Sequence, residues 1–289
     1  MRANTREDIM ILKRQKTKAP KVRPKRPMGR VLQSVRQVLK ITHVNPGEAI
    51  WQWGQPESPT LPSTIELVVW NIWKGSGGEP FLKEYLRIVQ GRHLLLLQEV
   101  VLTLKALGNF APKGFAASHG ATYRRSDGLR DGVMTVATAA PGEGAQRILC
   151  ETPEPVLKTT KATLVTSYKV NGVDSQLCVV NTHATLMRRP STAVKEIQRV
   201  IECIADHNGP LIYAGDFNTF SKTYINEVDR AMSSIGLKRV LIEGDPRSVT
   251  TALDQIYVRD IEVISAKVDT TFTHSDHFPI IATLRLSTF

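Results

Sequence analysis

The chain has 289 residues, of which 42% are hydrophobic and 22% charged, a balance that excludes a fibrous or wholly disordered protein. The formal charge of +11 is concentrated at one end, because residues 1–40 contain 13 Lys or Arg and only two acids, Glu7 and Asp8. The rest of the chain has 25 basic and 25 acidic side chains, so a neutral body carries a basic arm.

The three cysteines, Cys150, Cys178 and Cys203, are scattered along the chain and odd in number. This usage is typical of reduced residues and does not predict a disulfide framework or a CxxC ligand pair. The early chain has no apolar run of signal-peptide length, and no stretch approaches the roughly 20 apolar residues of a spanning helix. We therefore expect a soluble, cytoplasmic protein.

Residues 1–60 are predicted to form a basic extension and linker that precede a catalytic domain over residues 61–289. Residues 13–30 combine dense positive charge with three prolines, which oppose helix formation and predict a mobile segment. Residues 28–41 carry apolar side chains at helical spacing and predict a short amphipathic helix. That helix could dock on the domain, or it could lie on an anionic membrane surface or a partner. The stretch 45–63, rich in Pro, Gly and polar residues, is typical of a linker.

From Thr64 onward, short apolar runs typical of strands alternate with amphipathic helical runs. The predicted strands are Ile65–Trp70, Leu94–Leu97, Val133–Thr138, Ala162–Val170, Leu177–Asn181, Leu211–Ala214, Leu253–Val258, Ile261–Ala266 and Pro279–Leu286. Helices are predicted at Pro80–Gln90 and Ser191–His207, the second before the stop signal Asn208-Gly209. Asn171-Gly172 predicts a hairpin, so the sheet cannot be purely parallel. The pattern predicts a mixed α/β layered domain.

Polar side chains lie at the ends of the strongest apolar runs. Four runs lead directly into such residues, at Asn71, Gln98-Glu99, Asn181-Thr182-His183 and Gly215-Asp216-Phe217-Asn218. Ser275-Asp276-His277 precedes another predicted strand, and Asp254 lies just inside one. A single residue of this kind is usually only a turn or cap residue. Together they form a set of acids, amides and histidines that sheet ends could collect in one cleft.

The chemistry of this set favours a hard metal ion. Carboxylate and amide oxygens without a Cys or multi-His cluster suit Mg²⁺, with Mn²⁺ as a possible substitute, rather than Zn²⁺. A metal ion on a phosphate oxygen offsets developing negative charge, and a histidine oriented by a carboxylate can move the proton of an attacking water. Gly75-Ser76-Gly77-Gly78 lacks the Lys-Ser/Thr pair of a phosphate-binding loop, which disfavours a nucleotide-driven motor.

At these positions the sequence resembles the endonuclease/exonuclease/phosphatase superfamily. Six motifs match in chain order: WN at Trp70-Asn71, QE at Gln98-Glu99, NTH at Asn181–His183, GDFN at Gly215–Asn218, LDQI at Leu253–Ile256 and SDHFP at Ser275–Pro279. They lie within residues 64–286, and the overall layout looks most like the bacterial YafD-like branch. The resemblance implies an α/β four-layered sandwich, in which two mixed β-sheets pack face to face with helices on the outside.

The resemblance also implies which residues act at the site. Glu99 would be the principal Mg²⁺ ligand, and Asn71 and Asp276 would contribute to the metal site directly or through water. Asp216 would orient or deprotonate the nucleophilic water. Asn218 would hold a phosphate oxygen.

Three further roles follow from the same resemblance. His277 would stabilise the transition state or transfer a proton, and Asp254 would fix the tautomer of His277. His183 resembles the second histidine of the deoxyribonuclease and sphingomyelinase branches, where it supports the leaving-group side. Apurinic endonucleases differ at that position.

Basic residues beside the predicted site are candidates for substrate binding. They are Arg124 and Arg125 in a predicted basic loop over residues 118–132, Lys161 before a strand, and Arg188 after the NTH motif. Each could equally be a solvated surface residue. No motif in the chain selects lipid, sugar or nucleic acid.

The leading hypothesis is a Mg²⁺-dependent phosphodiesterase or nuclease, with nucleic acid as substrate because the basic arm could follow a phosphate backbone. The neutral body argues against strong binding by the domain alone. A second hypothesis is a phosphatase or phospholipid phosphodiesterase, brought to an anionic membrane surface by residues 28–41. A third is a nucleic-acid-binding protein that keeps the fold without catalysis.

Overall fold

The computed structural model of the protein describes residues 41–104, 107–154, 159–186, 189–246 and 252–287. The basic arm, and nearly all of the helix predicted over residues 28–41, lie outside the described residues. The described chain forms two β-sheets and a small number of helices, and the sheets carry the candidate site.

The first sheet has eight strands among the described residues, and one neighbouring pair, β3 with β4, is parallel. Its strands are β1 Thr42–His43, β2 Ile50–Gly54, β3 Thr64–Asn71, β4 Leu94–Leu102, β5 Ala116–Arg124, β6 Arg130–Ala137, β13 Glu262–Val268 and β14 Ile280–Arg285. The order across the sheet is β1-β5-β6-β4-β3-β14-β13, and β2 also pairs with β5.

The second sheet has six strands in the described part of the chain, and β9 and β10 form its parallel pair. Its strands are β7 Gln146–Leu149, β8 Ala162–Val170, β9 Val173–His183, β10 Leu211–Asp216, β11 Lys238–Arg239 and β12 Asp254–Arg259. The order is β11-β12-β10-β9-β8-β7. The predicted hairpin is confirmed, since β8 and β9 are joined by Asn171-Gly172.

Four α-helical segments lie among the described residues. They are α1 Glu79–Val89, α2 Leu107–Phe110, α3 Pro190–Cys203 and α4 Lys222–Ser233, with 3-10 turns at Pro46–Glu48 and Trp73–Gly75. None of the described helices combines the length and apolar character needed to cross a membrane. The two predicted helices correspond to α1 and α3. The second ends at Cys203, before the Asn208-Gly209 stop signal, because residues 204–206 form a turn.

The two sheets pack against each other through alternate residues of their strands. Leu67 and Val69 of β3 and Leu94 and Leu96 of β4 meet residues such as Val179 of β9 in one fully buried cluster. Because side chains alternate along a strand, the residues between them face outward. The alternation of side chains therefore gives each sheet an inner face in the core and an outer face on the other side.

The outer faces of both sheets are covered by helices. On the first sheet, Phe81 and Tyr85 of α1 pack against Trp70 of β3. On the second, α3 and α4 cover an outer face that includes Tyr213 and Tyr257. The layers run helix, sheet, sheet, helix, so the predicted α/β four-layered sandwich is confirmed.

Part of the segment predicted as a linker belongs to the first sheet. β2 runs antiparallel to β5, with Ile50 opposite Gly120 and Gly54 opposite Ala116. Trp53 fixes this strand, since its Nε1 donates to the Leu107 carbonyl oxygen at 2.9 Å. The sheet thus begins before residue 61, because the large apolar residues of β2 find a partner strand that composition alone does not reveal.

The predicted basic loop over residues 118–132 is wrong for most of its length. β5 continues to Arg124 and β6 starts at Arg130, which leaves residues 125–129 as the turn between them. Arg130 is buried and stacks on Trp51 at 3.8 Å from the ring centroid, so it holds β2 on the sheet. Strand β5 pairs with β2 and with β6. This pairing outweighs the weak strand propensity of the small and polar residues of β5.

Candidate active site

The predicted site residues continue the inner faces of the strands beyond their apolar cores. Asn71 follows Leu67 and Val69 with the period of two, and Gln98, His183 and Asp216 continue β4, β9 and β10 in the same way. The strand register places Asp216 directly between His183 in β9 and Asp254 in β12. Polar groups therefore collect at the ends of the inner faces of the two sheets.

Asp216 lies at the centre of this group, and its side chain is 2% exposed. Its Oδ2 accepts a hydrogen bond from Asn71 Nδ2 at 3.0 Å, and its Oδ1 accepts one from the Asn218 backbone N–H at 2.9 Å. Burial and the nearby charge of Asp254 raise the pKa of Asp216 to about 7. A carboxyl group with such a pKa can accept a proton near neutral pH.

Asp254 and His277 form a closely bonded pair. His277 Nδ1 lies 2.8 Å from Asp254 Oδ2, and its other ring nitrogen, Nε2, lies 3.9 Å from Asp216 Oδ2. Burial alone would lower the pKa of His277, but the carboxylates of Asp254 and Asp216 outweigh it and raise the pKa to about 9. His277 is thus an imidazolium at neutral pH, with Nε2 facing the central carboxylate.

The loop that carries His277 is tied to the end of β3. Trp70 Nε1 donates to the His277 carbonyl oxygen at 2.9 Å, and Ser275 Oγ donates to the Asn71 carbonyl oxygen at 2.6 Å. The His277 backbone N–H in turn donates to Ser275 Oγ at 3.2 Å. The WN and SDHFP motifs therefore pack against each other, although 204 positions separate Asn71 from Ser275.

His183 lies on the other side of Asp216 and connects it to Glu99. A single atom, His183 Nε2, is 3.6 Å from Asp216 Oδ2 and 3.8 Å from Glu99 Oε1. Burial lowers the pKa of His183 well below its usual value, and the positive charges of Lys161 and His277 lower it further. This histidine is neutral at neutral pH, in contrast to His277.

Glu99 emerges at a β-bulge in β4 and has a backbone φ of 52°, which is unusual for a residue other than glycine. Its carboxylate forms two long ion pairs, with Lys161 Nζ at 3.5 Å and with Lys74 Nζ at 3.9 Å. Lys161 also pairs with Glu154 at 3.2 Å. Lys161 was predicted to bind substrate, and it lies beside this carboxylate; that role stays a prediction. Lys74 was not predicted, although it lies three residues after the WN motif.

Some predicted residues do not join this group. Asp276 is exposed, and none of its described contacts reaches Glu99 or Asp216, although its charge helps to raise the pKa of His277. Its role as a metal ligand stays a prediction. Arg124 is exposed at the end of β5, and Arg125 pairs with Asp127 at 2.9 Å in the following turn. Arg188 lies outside the described residues.

The donor set suits a hard cation. Glu99 and Asp216 supply carboxylate oxygens on either side of His183, and Asn71 supplies an amide beside Asp216. Among the described residues, Asp216, Asp254 and His277 form a separate group whose ligand atoms all lie within 4.8 Å of one another. That group is less suited, because His277 Nδ1 and Asp254 already bond each other at 2.8 Å. On the Glu99 side, the carboxylate and amide oxygens are ligands that suit a divalent cation.

Comparison with known proteins identifies the family. The profile of the Endonuclease/Exonuclease/phosphatase family matches residues 68–277. A UPF0294 protein of Yersinia pseudotuberculosis serotype O:1b (strain IP 31758) is 35% identical over 238 residues, covering 79% of this chain and 87% of that protein. This relative agrees with the predicted YafD-like layout.

Two solved structures show the same fold. An endonuclease/exonuclease/phosphatase from Beutenbergia cavernae DSM 12333 has a TM-score of 0.60 at 17% identity, covering 78% of this chain and 72% of that chain. The endonuclease domain of TRAS1, a telomere-specific non-LTR retrotransposon, has a TM-score of 0.52 at 16% identity, covering 78% and 100% respectively. With the family profile covering most of the domain, the chain belongs to the Endonuclease/Exonuclease/phosphatase family.

Proposed function

We propose that the protein is a Mg²⁺-dependent phosphodiesterase that hydrolyses the backbone of nucleic acid. One observation carries the proposal. The buried carboxylate of Asp216 lies between a neutral histidine, His183, and a charged one, His277, and the Glu99 carboxylate lies just beyond His183. A base, a cationic group and a metal-binding acid are the parts that hydrolysis of a phosphate ester needs.

Asp216 accepts the proton of the attacking water. Its two oxygens are held by Asn71 Nδ2 and the Asn218 backbone N–H, so the carboxylate has a fixed orientation before substrate arrives. A pKa of about 7 keeps a substantial fraction ionised at neutral pH and leaves it basic enough to take a proton. Asn71 therefore acts twice, as an orienting group for the base and as part of the metal site.

Two other groups bind the reacting phosphate. His277, held by Asp254 at Nδ1, presents a positive Nε2 to the negative charge that grows on the phosphate oxygens. Asn218 uses one amide hydrogen for the Ala184 carbonyl oxygen at 2.9 Å, and its second hydrogen is the donor that we assign to a phosphate oxygen. His183, being neutral, donates or accepts a hydrogen bond on the leaving-group side without adding charge.

Glu99, with Asn71 and the predicted ligand Asp276, would hold the metal ion. A divalent cation bound there would supply electrostatic stabilisation to a phosphate oxygen and would lower the pKa of water. Lys161 and Lys74 lie beside Glu99 and add positive charge for the rest of the substrate. Arg124, Arg125 and Arg188 stay candidates for more distant phosphates.

Nucleic acid is the substrate that the charge distribution favours. A neutral body gives the domain little attraction for a polyanion, whereas residues 1–40 carry the entire net charge of +11. The same fold occurs in the endonuclease domain of TRAS1, which supports nucleic acid as the proposed substrate. We place the protein in the cytoplasm as part of the same proposal.

The test is a substrate panel with the full-length protein. Single- and double-stranded DNA, RNA, p-nitrophenyl phosphate and phospholipid vesicles are each incubated with MgCl₂ or with EDTA. We expect Mg²⁺-dependent cleavage of DNA or RNA, loss of activity in EDTA, and recovery when Mg²⁺ is returned. Glu99→Gln should reduce turnover by at least about 10²-fold without unfolding the protein, because it removes the principal ligand charge.

Glu262→Gln is the matched control, since it removes a carboxylate that is exposed and paired with Arg285 at 3.2 Å. Its activity should equal that of the unaltered protein. Rapid release of p-nitrophenol beside inert nucleic acid would contradict the choice of substrate and support the phosphatase alternative. Cleavage confined to vesicles would support a lipid substrate. Nucleic-acid binding without turnover of any substrate would support the non-enzymatic alternative.

A further inference from the structure

The bulge in β4 that carries Glu99 interrupts its pairing with β6. Leu97 pairs with Met134, and the next regular pair is Val100 with Gly132, so two residues of β4 stand opposite one residue of β6. Glu99 is one of the two, and its left-handed backbone is unfavourable for a residue with a Cβ. Some other interaction must therefore stabilise this backbone conformation.

Asn181, from β9 of the second sheet, supplies hydrogen bonds at this point. It is fully buried, and its Nδ2 donates to the Met134 carbonyl oxygen at 2.9 Å and to the Leu97 carbonyl oxygen at 3.2 Å. Both carbonyls belong to the last regular pair before the bulge. The side chain thus crosses from one sheet to the other and bonds to the backbone beside Glu99.

Gln98 completes the arrangement from the first sheet. Its Nε2 donates to Asn181 Oδ1 at 2.7 Å and to the Leu96 carbonyl oxygen at 3.1 Å. Gln98 is the residue immediately before Glu99, and it is fully buried. The Gln98 and Asn181 side chains, here called the amide pair, therefore connect the backbone on the N-terminal side of Glu99 to the strand that ends in His183.

We propose that the amide pair positions the Glu99 carboxylate for the metal ion, and that Asn181 is a positioning residue of the site. The inference rests on the proposed function, in which Glu99 is the principal metal ligand. Core packing alone does not account for the pair. The preceding residues on the same inner faces, Leu96 and Val179, are apolar and fill the space between the sheets without hydrogen bonds. Along β4 and β9, the amides Gln98 and Asn181 follow these apolar residues at the bulge, where Glu99 is the next residue of β4.

The first test replaces Asn181 by leucine, which has the same branching at Cγ and cannot donate. Mn²⁺ is the probe, because bound Mn²⁺ loses the sharp electron paramagnetic resonance signal of the free ion. We expect the dissociation constant for Mn²⁺ to rise about 10- to 100-fold in Asn181→Leu, the range for loss of a group that orients a metal ligand. The measurement needs no substrate and no turnover.

Val179→Ala is the matched control for lost stability. Val179 is fully buried on the same face of the same strand, two residues before Asn181, and has no polar group. Its truncation leaves a cavity and lowers stability without removing a hydrogen bond. We expect its Mn²⁺ affinity to match that of the unaltered protein under conditions in which circular dichroism shows both to be folded.

A double variant, Gln98→Leu with Asn181→Leu, separates positioning from stability. Replacing both side chains by apolar groups removes the buried Gln98 amide that Asn181→Leu alone leaves without its partner, so part of the lost melting temperature should return. Recovery is incomplete, because the carbonyl oxygens of Leu96, Leu97 and Met134 lose the side-chain donors. If the pair positions Glu99, Mn²⁺ affinity stays low in the double variant. Recovery of affinity together with stability would show that the pair is only a core contact, and equal affinity in Asn181→Leu would overturn the inference directly.

These outcomes are distinct from failure of the proposed function. If the unaltered protein binds no Mn²⁺, or if Glu99→Gln leaves Mn²⁺ binding unchanged, then Glu99 is not a metal ligand and both the proposed function and the inference are overturned. If the unaltered protein binds Mn²⁺ and Glu99→Gln abolishes binding, the proposed metal site stands. The Asn181 variants then decide the inference alone.

Discussion

His183 and His277 lie on opposite sides of Asp216 and have opposite protonation states. Both are largely buried, and burial favours the neutral form of each. His277 overcomes it through Asp254 at 2.8 Å, whereas Lys161 and His277 itself add to the effect of burial on His183. The difference between the two rings therefore comes from their neighbours, which are far apart along the chain.

Removing the Asp254 charge should expose this dependence. In Asp254→Asn we expect the pKa of His277 to fall from about 9, because the group that stabilises its charged form becomes neutral. The shift is measured by NMR titration of the imidazole in metal-free protein. Turnover should fall by about 10²- to 10⁴-fold, the usual contribution of positioned acid–base groups. Asp269→Asn, in an exposed turn, is the control and should leave the His277 titration unchanged. An unchanged His277 titration in Asp254→Asn would contradict the assignment.

A buried histidine outside the site should make stability depend on pH. Burial lowers the pKa of His119 in β5 to about 4, against 6.5 for an unperturbed histidine, so the unfolded chain takes up its proton at higher pH than the folded one. The contribution of neutral His119 to the free energy of unfolding is fully present above pH 6.5 and is lost as pH falls toward 4. The shift corresponds to about 3 kcal/mol.

His119→Leu should therefore flatten the decline in stability between pH 6.5 and 4, as measured by urea unfolding at several pH values. The comparison uses the slope with pH, so a change in stability at neutral pH does not affect it. His43→Leu, at an exposed position of β1, serves as the control and should keep the original slope. An unchanged slope in His119→Leu would contradict the assigned cause.

At the level of elements, the site depends on the close parallel approach of β9 and β10. Gly215 in β10 lies opposite Thr182 in β9 and has a φ of 140°. A Cβ at this position would lie 2.0 Å from the Thr182 carbonyl oxygen. The glycine of the GDFN motif is therefore needed for the backbone to pass beside β9 just before Asp216.

Gly215→Ala should be strongly destabilising, because the backbone would have to move to remove the clash and the new side chain would be strained at this φ. We expect a loss of more than about 2 kcal/mol in the free energy of unfolding, measured by urea denaturation. Turnover should fall even where the protein stays folded, since Asp216 would move. Gly47→Ala, where an added Cβ has no neighbour within 4 Å, is the control. Equal stability of both variants would contradict this account.

The elements that the sequence predicts correctly are those with strong local signals. The apolar runs that became β3, β4, β9 and β10 each end in the polar residues of the site, as expected from their order along the chain. Helix α4 was missed although Tyr224, Ile225, Val228 and Met232 have helical spacing and Ser221 caps the first turn. Strand β5 gave no such signal, because its formation depends on β2 and β6.

For the whole molecule, the site joins two sheets that are built from separate parts of the chain. Asn71 and Glu99 come from the first sheet, and His183, Asp216 and Asp254 come from the second. The motifs predict their chemistry, and the family resemblance predicts that they meet. Periodicity and composition could not have given the strand order that brings them together, because order depends on pairing between distant segments.

The basic arm gives a prediction at the same scale. Deleting residues 1–40 removes the whole net charge of +11, so DNA binding should weaken and lose most of its dependence on salt concentration, as release of counterions requires. Fluorescence anisotropy at 50 and 200 mM salt measures both effects. A variant with the arm's Lys and Arg changed to Gln keeps its length and should behave like the deletion. Equal binding by all three proteins at low salt would contradict a role for the arm.

Strand β14 lies between β3 and β13 in the interior of the first sheet, yet it follows every other described element along the chain. His277 lies only three residues before it, in the loop that docking of this strand brings into place. During translation, a nascent chain whose residues 277–285 are still inside the ribosome lacks strand β14 between β3 and β13. It also lacks the charged ring of His277 at the site. The proposed activity would therefore require that synthesis has passed this strand.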